Sequence, residues 1–390
     1  GWHIECSTMS AKYLGIPIAT LLTSAGIGGV AAAIAFAQRG ATVTVFEQAA
    51  SLSEVGAGLQ ISANGMCVLR ALGAVQDTPD GAVQSSGTEL RDYCRPNRIS
   101  FVPPPQAGPT WYFHRADLLD LLVTRAADAG VTFQLGQAIT DVDLQTGRVG
   151  EMGCFDLVVG ANGGQSNLRA ALNGNAAPQF SKQVAWRAVV PFSPQDAPSH
   201  AVLTMGPGRH VVSYALRGGS LMNIVAVEER ADWTEEGWRL SGDPDDLRAR
   251  FADFTGATAD LLAGVQETHL WALYLHPVAQ VWHKGRLALL GDAAHPTLPF
   301  MAQGACLALE DAWVLASCVS GSTSVDAGLA RYQAVRQPRA TRVVAAASGN
   351  ARTFHYAPPV SWLAQTAMAV MGPRLSARFA WIYDHDVTRL

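Results

Sequence analysis

GRLALLGDAAHPTLPFMAQGACLALE, Gly285 to Glu310, is the stretch whose reading decides the fold. The apolar run Leu287 to Leu290 stops at Gly291 and reads as a buried strand with an acid, Asp292, at its end. Pro296 and Pro299 forbid an immediate helix; Gln303 and Gly304 then open a helical pattern carried by Leu307, Leu309, Ala312, Trp313 and Leu315. Strand, carboxylate, stiff loop and helix start, in that order, leave backbone N–H groups and a positive dipole end beside an anion. Such a layout suits a ligand with hydroxyls at one place and a region that becomes negative at another.

Toward the N-terminus, Ile16 to Thr23 is apolar and β-branched, despite Pro17, and leads into SAGIGG, Ser24 to Gly29. An alanine-rich helical run to Arg39, a stop at Gly40 and a second strand, Thr42 to Phe46, closed by Glu47, complete a βαβ unit. Gly26 and Gly29 stand where a dinucleotide turn needs them, and Glu47 is the acid about 20 residues on that holds a ribose. Ser24 stands where the first glycine of that pattern falls, so the turn must form there with φ negative.

Further on, EVGAGLQISANGMCVLRALG (Glu54 to Gly73) offers Gly56 and Gly58 for close backbone approach to a flat ligand, with Asn64 as a helix cap. Pro103, Pro104, Pro105 and Pro109 argue against regular structure in Gly81 to Pro109 and mark a crossing between lobes. HRADL (His114 to Leu118) opens another helix, Val131 to Leu135 and Ile139 to Asp143 are strand-like, and FDLVVG, a buried strand, runs into ANGGQSNLR. Trp186 to Glu229 changes character: strands near Ala201 to Met205, His210 to Leu216 and Leu221 to Val227 are separated by GPGR and RGGS, an antiparallel meander. Closing the RGGS loop with Leu216 opposite Leu221 puts Tyr214 across from Asn223 and His210 across from Val227, on one face. Polar groups on an otherwise apolar face are expensive to bury without partners. Glu235 to Phe254 reads as a solvated helix. Arg331 to Asn350 reads as a helix with a basic stripe, Arg336, Arg339 and Arg342, either solvated or an oligomer contact. Trp362, Trp381, Tyr383 and Asp384 are expected near the lobe interface.

With 390 residues, 49% hydrophobic and 15% charged, the chain can bury two domains around a large core. A formal charge of −4 argues against a nucleic-acid footprint. Six cysteines without CxxC spacing read as reduced thiols, with no metal site and a cytoplasmic setting. Leu14 to Ala37 lacks charge, but its glycines and the strand beyond it favour a nucleotide turn over stable membrane insertion.

Four ordered motifs, SAGIGG with Glu47, HRADL, GANGGQSNLR and GDAAHPTLPFMAQGA, resemble those of the class A FAD-dependent aromatic monooxygenases, the para-hydroxybenzoate and salicylate hydroxylase group, over roughly residues 16–386. The resemblance implies an α/β fold: a Rossmann-like FAD-binding domain (16–77, 110–177 and 282–350) interleaved with an antiparallel-sheet substrate domain (78–109 and 178–281), then C-terminal helices (351–390), after a leader (1–15). It implies FAD held by Gly26, Gly29, Glu47, Gln48, Arg115, Ile139, Asn162, Gly291, Asp292 and Pro299, with Gly58, Leu59 and Gln60 along the flavin ring. Gly304 and Ala305 would stabilise negative charge on it. Asn162 and Arg169 fall on a motif that in the family carries an aspartate before its arginine. NADH or NADPH would reduce the flavin, and O2 would hydroxylate a small phenol or hydroxy-N-heteroaromatic through a flavin C4a-hydroperoxide. His210 is the expected base, Tyr214 and Gln303 orient the ring, and His295 is a second proton carrier or a loop cap. No arginine stands out on the inner face of the substrate sheet. A non-hydroxylating FAD oxidoreductase of the same fold, or a flavin-binding protein with a weakened site, are the alternatives.

Overall fold

The computed structural model describes residues 18–52, 57–95, 97–175, 177–233 and 240–390. The expected leader, Ile16 and Pro17, Gly56 and the stretch 235–239 lie outside the described residues.

β1 (Ala19–Leu22), α1 (Ile27–Ala37) and β2 (Thr42–Glu47) form the opening βαβ unit, β1 and β2 pairing in parallel. Alanines let α1 pack closely, and every residue from Val30 to Phe36 is buried. β3 (Gly58–Ile61) and α2 (Ala63–Ala71) follow. Ser62, not Asn64, is the N-cap of α2; Asn64 sits in the first turn and reaches Glu310 on another helix instead. β4 (Val83–Gln84), β5 (Thr88–Asp92) and β6 (Arg98–Val102) correct the expectation that 81–109 lacks regular structure, because the proline run starts only after β6 ends.

β7 (Trp111–His114), α3 (Arg115–Asp128) and β8 (Thr132–Leu135) come next. Ile139 to Asp143 is loop, not strand. Asp141 and Asp143 accept hydrogen bonds from nearby backbone N–H groups of Val142, Gln145 and Thr146, a local alternative to a ladder. β9 (Leu157–Gly160), buried throughout, leads to α4 (Asn167–Asn173).

The long β10 (Gln179–Pro191) precedes β11 (Ala201–Gly206), β12 (Arg209–Leu216) and β13 (Leu221–Glu229). The β12–β13 register is Leu216 with Leu221, Tyr214 with Asn223 and His210 with Val227, as the RGGS loop implied. β14 (Leu240–Gly242), α5 (Pro244–Arg250), α6 (Ala257–Ala263) and β15 (Thr268–Leu275) replace the single helix expected up to Phe254. Asp243, capping α5 ahead of Pro244, sets that helix start. β16 (His283–Lys284), β17 (Leu287–Leu289), α7 (Gly304–Ser320), α8 (Val325–Thr353), α9 (Val360–Arg378) and α10 (Ala380–Tyr383) complete the chain.

Two large sheets organise these elements. One, ordered β16-β17-β9-β1-β2-β8, is parallel except at β16 and carries α1 and α7 packed on each other. The other, ordered β14-β15-β10-β13-β12-β11-β5-β6, has one face covered by α5 and α6 through Leu247, Phe251 and Leu262. Its opposite face meets the first lobe: Ala185, Val227 and Leu273 pack against Leu298 and Phe300, from the loop after Asp292.

Candidate active site

The glycine-rich turn is held by its own serine. Ser24 Oγ accepts from the Gly26 N–H at 3.2 Å and donates to Glu47 at 3.3 Å, while Ala25 N–H donates to the same carboxylate at 2.9 Å. Ser24 is not among the residues with positive φ, so the substitution for glycine is accommodated without strain. Gly29 is obligatory by packing: a Cβ there would lie 2.0 Å from the Ser24 carbonyl oxygen. α1, with Gly26 as its N-cap residue, has no side-chain cap and no acid in its first turn, so its dipole is left for an anion. Gln48 is exposed beside Glu47, whereas the Ile139 side chain is buried in the core.

Asn162 spends its amide inside the motif, donating to Asn167 and accepting from Ser166, the residue that caps α4. Arg169 reaches across to the Ala293 and Ala294 carbonyls at 2.9 and 3.0 Å and to Pro277. Two sequence motifs about 120 residues apart are thereby joined by charge-assisted bonds.

Gly291 takes φ 61, turning the chain so that Asp292 leaves the end of β17. Its carboxyl touches solvent yet is closely surrounded by protein. Burial raises its pKa, opposed by His295, Arg115 and His276, which puts Arg115 of the HRADL motif and Asp292 in one electrostatic neighbourhood. Past Pro299, Ala302 is held in the left-handed region (φ 52), a conformation costing of order 1 kcal/mol or more that aims Gln303 and Gly304 at the start of α7. Neither a side-chain cap nor an acid in the first turn neutralises that start, so the N–H groups at Gly304 and Ala305 fit a ligand that gains negative charge. Two bare helix starts, a carboxylate and an arginine fit FAD.

At the seam between the lobes, Gly58 lies against the antiparallel sheet. Its N–H donates to Asn223 Oδ1 at 2.8 Å, and a Cβ on it would fall 2.6 Å from the Tyr214 ring. Tyr214 packs on Tyr112 with ring centroids 4.8 Å apart; burial pushes its hydroxyl far above the usual range, with Arg187 opposing. Asn223 Nδ2, buried here, has no hydrogen-bond partner among the described residues. His210 is 2% exposed, between the rings of Phe300 and Phe354. Burial, then the neighbouring His355, holds it well below the ordinary histidine pKa, so it is a neutral acceptor at pH 7.

Two expected roles are corrected. Gln303 is buried with both ends of its amide committed: Nε2 donates to Ser62 Oγ and Oε1 accepts from Asn64, each at 3.0 Å, so it ties α7 to α2 and does not orient a ring. His295 is fully buried against Trp282 and binds Asp311 through Nε2, which makes it a support behind the loop and not a proton carrier facing the seam. The basic stripe is corrected likewise. Arg336 has no exposed surface and binds Asp311 and Glu310 at 2.7 and 2.6 Å; Arg339 binds Glu310 at 2.7 Å. Asn64 adds a 2.6 Å bond to Glu310, so α2, α7 and α8 share one buried ionic cluster. Trp381 and Tyr383 pack near Met301 of the flavin-motif loop, whereas Trp362 is exposed.

Sequence reasoning missed two groups. Arg187, on β10, shares the inner face with Ala185 and Val225, lies over Trp271 and acts on Tyr214; no strand was expected at 179–191, so its face could not be read. His355 follows a 29-residue helix, and no spacing relates it to His210. Among the described residues no His, Cys, Asp and Glu cluster could hold a metal, and no helix is long and apolar enough to cross a membrane.

A largely parallel sheet with two bare helix starts, packed through its carboxylate loop on an antiparallel sheet, is that of an FAD-dependent oxidoreductase. The family model described as an FAD binding domain matches residues 19–347, and the chain belongs to that family, as a class A flavoprotein monooxygenase. It is 31% identical over 381 residues to a 3-amino-4-hydroxybenzoate 2-monooxygenase of Streptomyces cremeus, covering 93% of this chain and 94% of that one. To a 3-hydroxybenzoate 6-hydroxylase of Klebsiella oxytoca it is 30% identical, covering 86% and 89%. A salicylate hydroxylase solved with its substrate has the same fold, with a TM-score of 0.79 at 24% identity and coverage of 96% and 97%.

Proposed function

We propose that the protein hydroxylates a hydroxybenzoate-type substrate, a phenol carrying a carboxylate, with NADH or NADPH as electron donor and O2 as oxidant. The observation that carries this is the shared inner face of His210, Tyr214 and Arg187 against Gly58. The names of the benzoate-acting relatives support it.

The bound flavin supplies the oxygen transfer; the protein holds, orients and ionises the substrate. Arg187, permanently charged and planar, grips the carboxylate. Neutral His210 takes the phenolic proton, making the ring more nucleophilic. Tyr214, kept protonated by burial, donates to a substrate oxygen. Phe300 and Phe354 keep water from His210. Glu47, Arg115 and Asp292 would hold the ribose, phosphate and ribitol of FAD, and the N–H groups at the start of α7 would stabilise negative charge on it, each contact contributing about 1 kcal/mol.

A phenol panel with and without ring carboxylates, followed by NAD(P)H oxidation and product mass, tests the reading. Carboxylated phenols should stimulate oxidation and gain oxygen, and Arg187→Met should raise KM for them about tenfold or more while sparing uncharged phenols. A panel in which no phenol couples NAD(P)H oxidation to an oxygenated product sinks it.

A further inference from the structure

We propose that His355 and Glu229 carry the proton released by the ionising substrate from His210 to bulk water. This rests on the function proposed above. His210 Nδ1 lies 2.7 Å from His355 Nε2, and His355 Nδ1 lies 2.8 Å from Glu229 Oε1. The two imidazoles, with centroids 4.9 Å apart, are both nearly inaccessible, whereas the Glu229 side chain is 54% exposed. Buried imidazole, buried imidazole and surface carboxylate thus form one hydrogen-bonded line from the seam to solvent.

The surroundings make that line the exit. Met205 and Val227 lie opposite His210 on its neighbouring strands, and the Phe300 and Phe354 rings close over it, so it has no direct contact with water. Gln183 of β10 approaches His355 at 3.4 Å, and the His355 carbonyl is pinned by the Gly208 N–H at 3.0 Å, fixing the ring between its partners. The charged group facing His355 is Glu229, which opposes the lowering of the His355 pKa by burial. Two adjacent buried imidazoles that are both neutral can pass a proton; two cations could not share the site.

One tautomer set satisfies both bonds of the line: each histidine carries its hydrogen on Nδ1 and donates it outward, leaving His210 Nε2 as the base. On ionisation the phenolic O–H breaks and an Nε2–H forms on His210. Its Nδ1–H passes to His355 Nε2, and the Nδ1–H of His355 passes to Glu229, which releases it to water. The substrate remains bound as phenolate, both rings end neutral with their hydrogen on Nε2, and no other co-reactant is needed.

The test uses Glu229→Gln and His355→Gln in the FAD-loaded protein. Single-turnover hydroxylation of a phenol that is protonated in the assay should fall about tenfold to a hundredfold. Flavin reduction should be unchanged, and a phenol already ionised at that pH should be hydroxylated at the wild-type rate. Nitrogen NMR of the histidine rings should find Nδ1–H at His210 and a His210 signal that moves in both variants. An Nε2–H tautomer at His210, an unmoved signal, or equal slowing of both phenols overturns the relay. The NMR readout needs no turnover. Failure of the phenol panel with ring coupling intact therefore sinks the substrate reading alone, and loss of coupling with hydroxylation intact sinks the relay alone.

Discussion

The backbone N–H of Gly58 donates to Asn223 Oδ1 at 2.8 Å, so β3 of one lobe is bolted to β13 of the other. A methyl group at Gly58 would meet Tyr214 and Asn223 at 2.6 to 2.7 Å, from the ring and amide that form the wall. Gly58→Ala should cost about 1–3 kcal/mol of stability by overpacking and separate the lobes locally. Thermal unfolding together with substrate affinity measures both effects; a variant with normal Tm and affinity would show that the seam is slack.

Asp292 lies with Arg115 in one electrostatic neighbourhood and supplies the carboxylate at the end of β17. Asp292→Ala should purify with little FAD while keeping its fold. The ratio of flavin absorbance to protein absorbance, with circular dichroism as control, checks this. Full flavin content would remove Asp292 from the cofactor site.

His210→Ala should retain FAD and accept electrons normally but slow oxygen transfer to a protonated phenol by about a hundredfold or more. Rapid-mixing single turnovers separate the two half-reactions. Unchanged oxygen transfer would take His210 out of the mechanism.

Arg336 neutralises Glu310 and Asp311 in a site without solvent. Burial raises both carboxyls, but Arg336, with Arg339 or His295, outweighs it and leaves both pKa values below normal. Their contribution is therefore present above the unfolded carboxylate values, about 4, and lost as pH falls through the lower folded values. Arg336→Met should cost about 3–5 kcal/mol at pH 7, because two buried anions lose their main partner. The deficit should shrink on acidification, as the stranded carboxyls take up protons. Denaturant titrations at pH 7 and 5 decide it.

How much of this was legible depends on distance along the chain. The opening βαβ unit, the Asp292 turn and the pairing of His210 with Val227 follow from local periodicity and loop length, and each formed as read. Arg336 looked like a solvated stripe because helix periodicity cannot see a neighbouring helix. The available signal was Glu310 and Asp311, two adjacent acids inside an otherwise apolar helix, which require buried cations. Gln303 and His295 were assigned by proximity to the flavin motif; their partners, Ser62 and Asp311, lie on other elements and turn them away from the seam. Ile139 to Asp143 failed as a strand because aspartates at 141 and 143 capture the local backbone.

The strand order β17-β9-β1 places residues 287–289, 157–160 and 19–22 side by side at the centre of one sheet. On a translating ribosome the first of these strands therefore emerges with one neighbour unsynthesised, and β9 waits in turn for β17. At ordinary elongation rates of about 5–20 residues per second, that interval is on the order of tens of seconds. Through it the alanine-rich α1 has no α7 to rest on, so its apolar face stays uncovered until the last third of the chain is made.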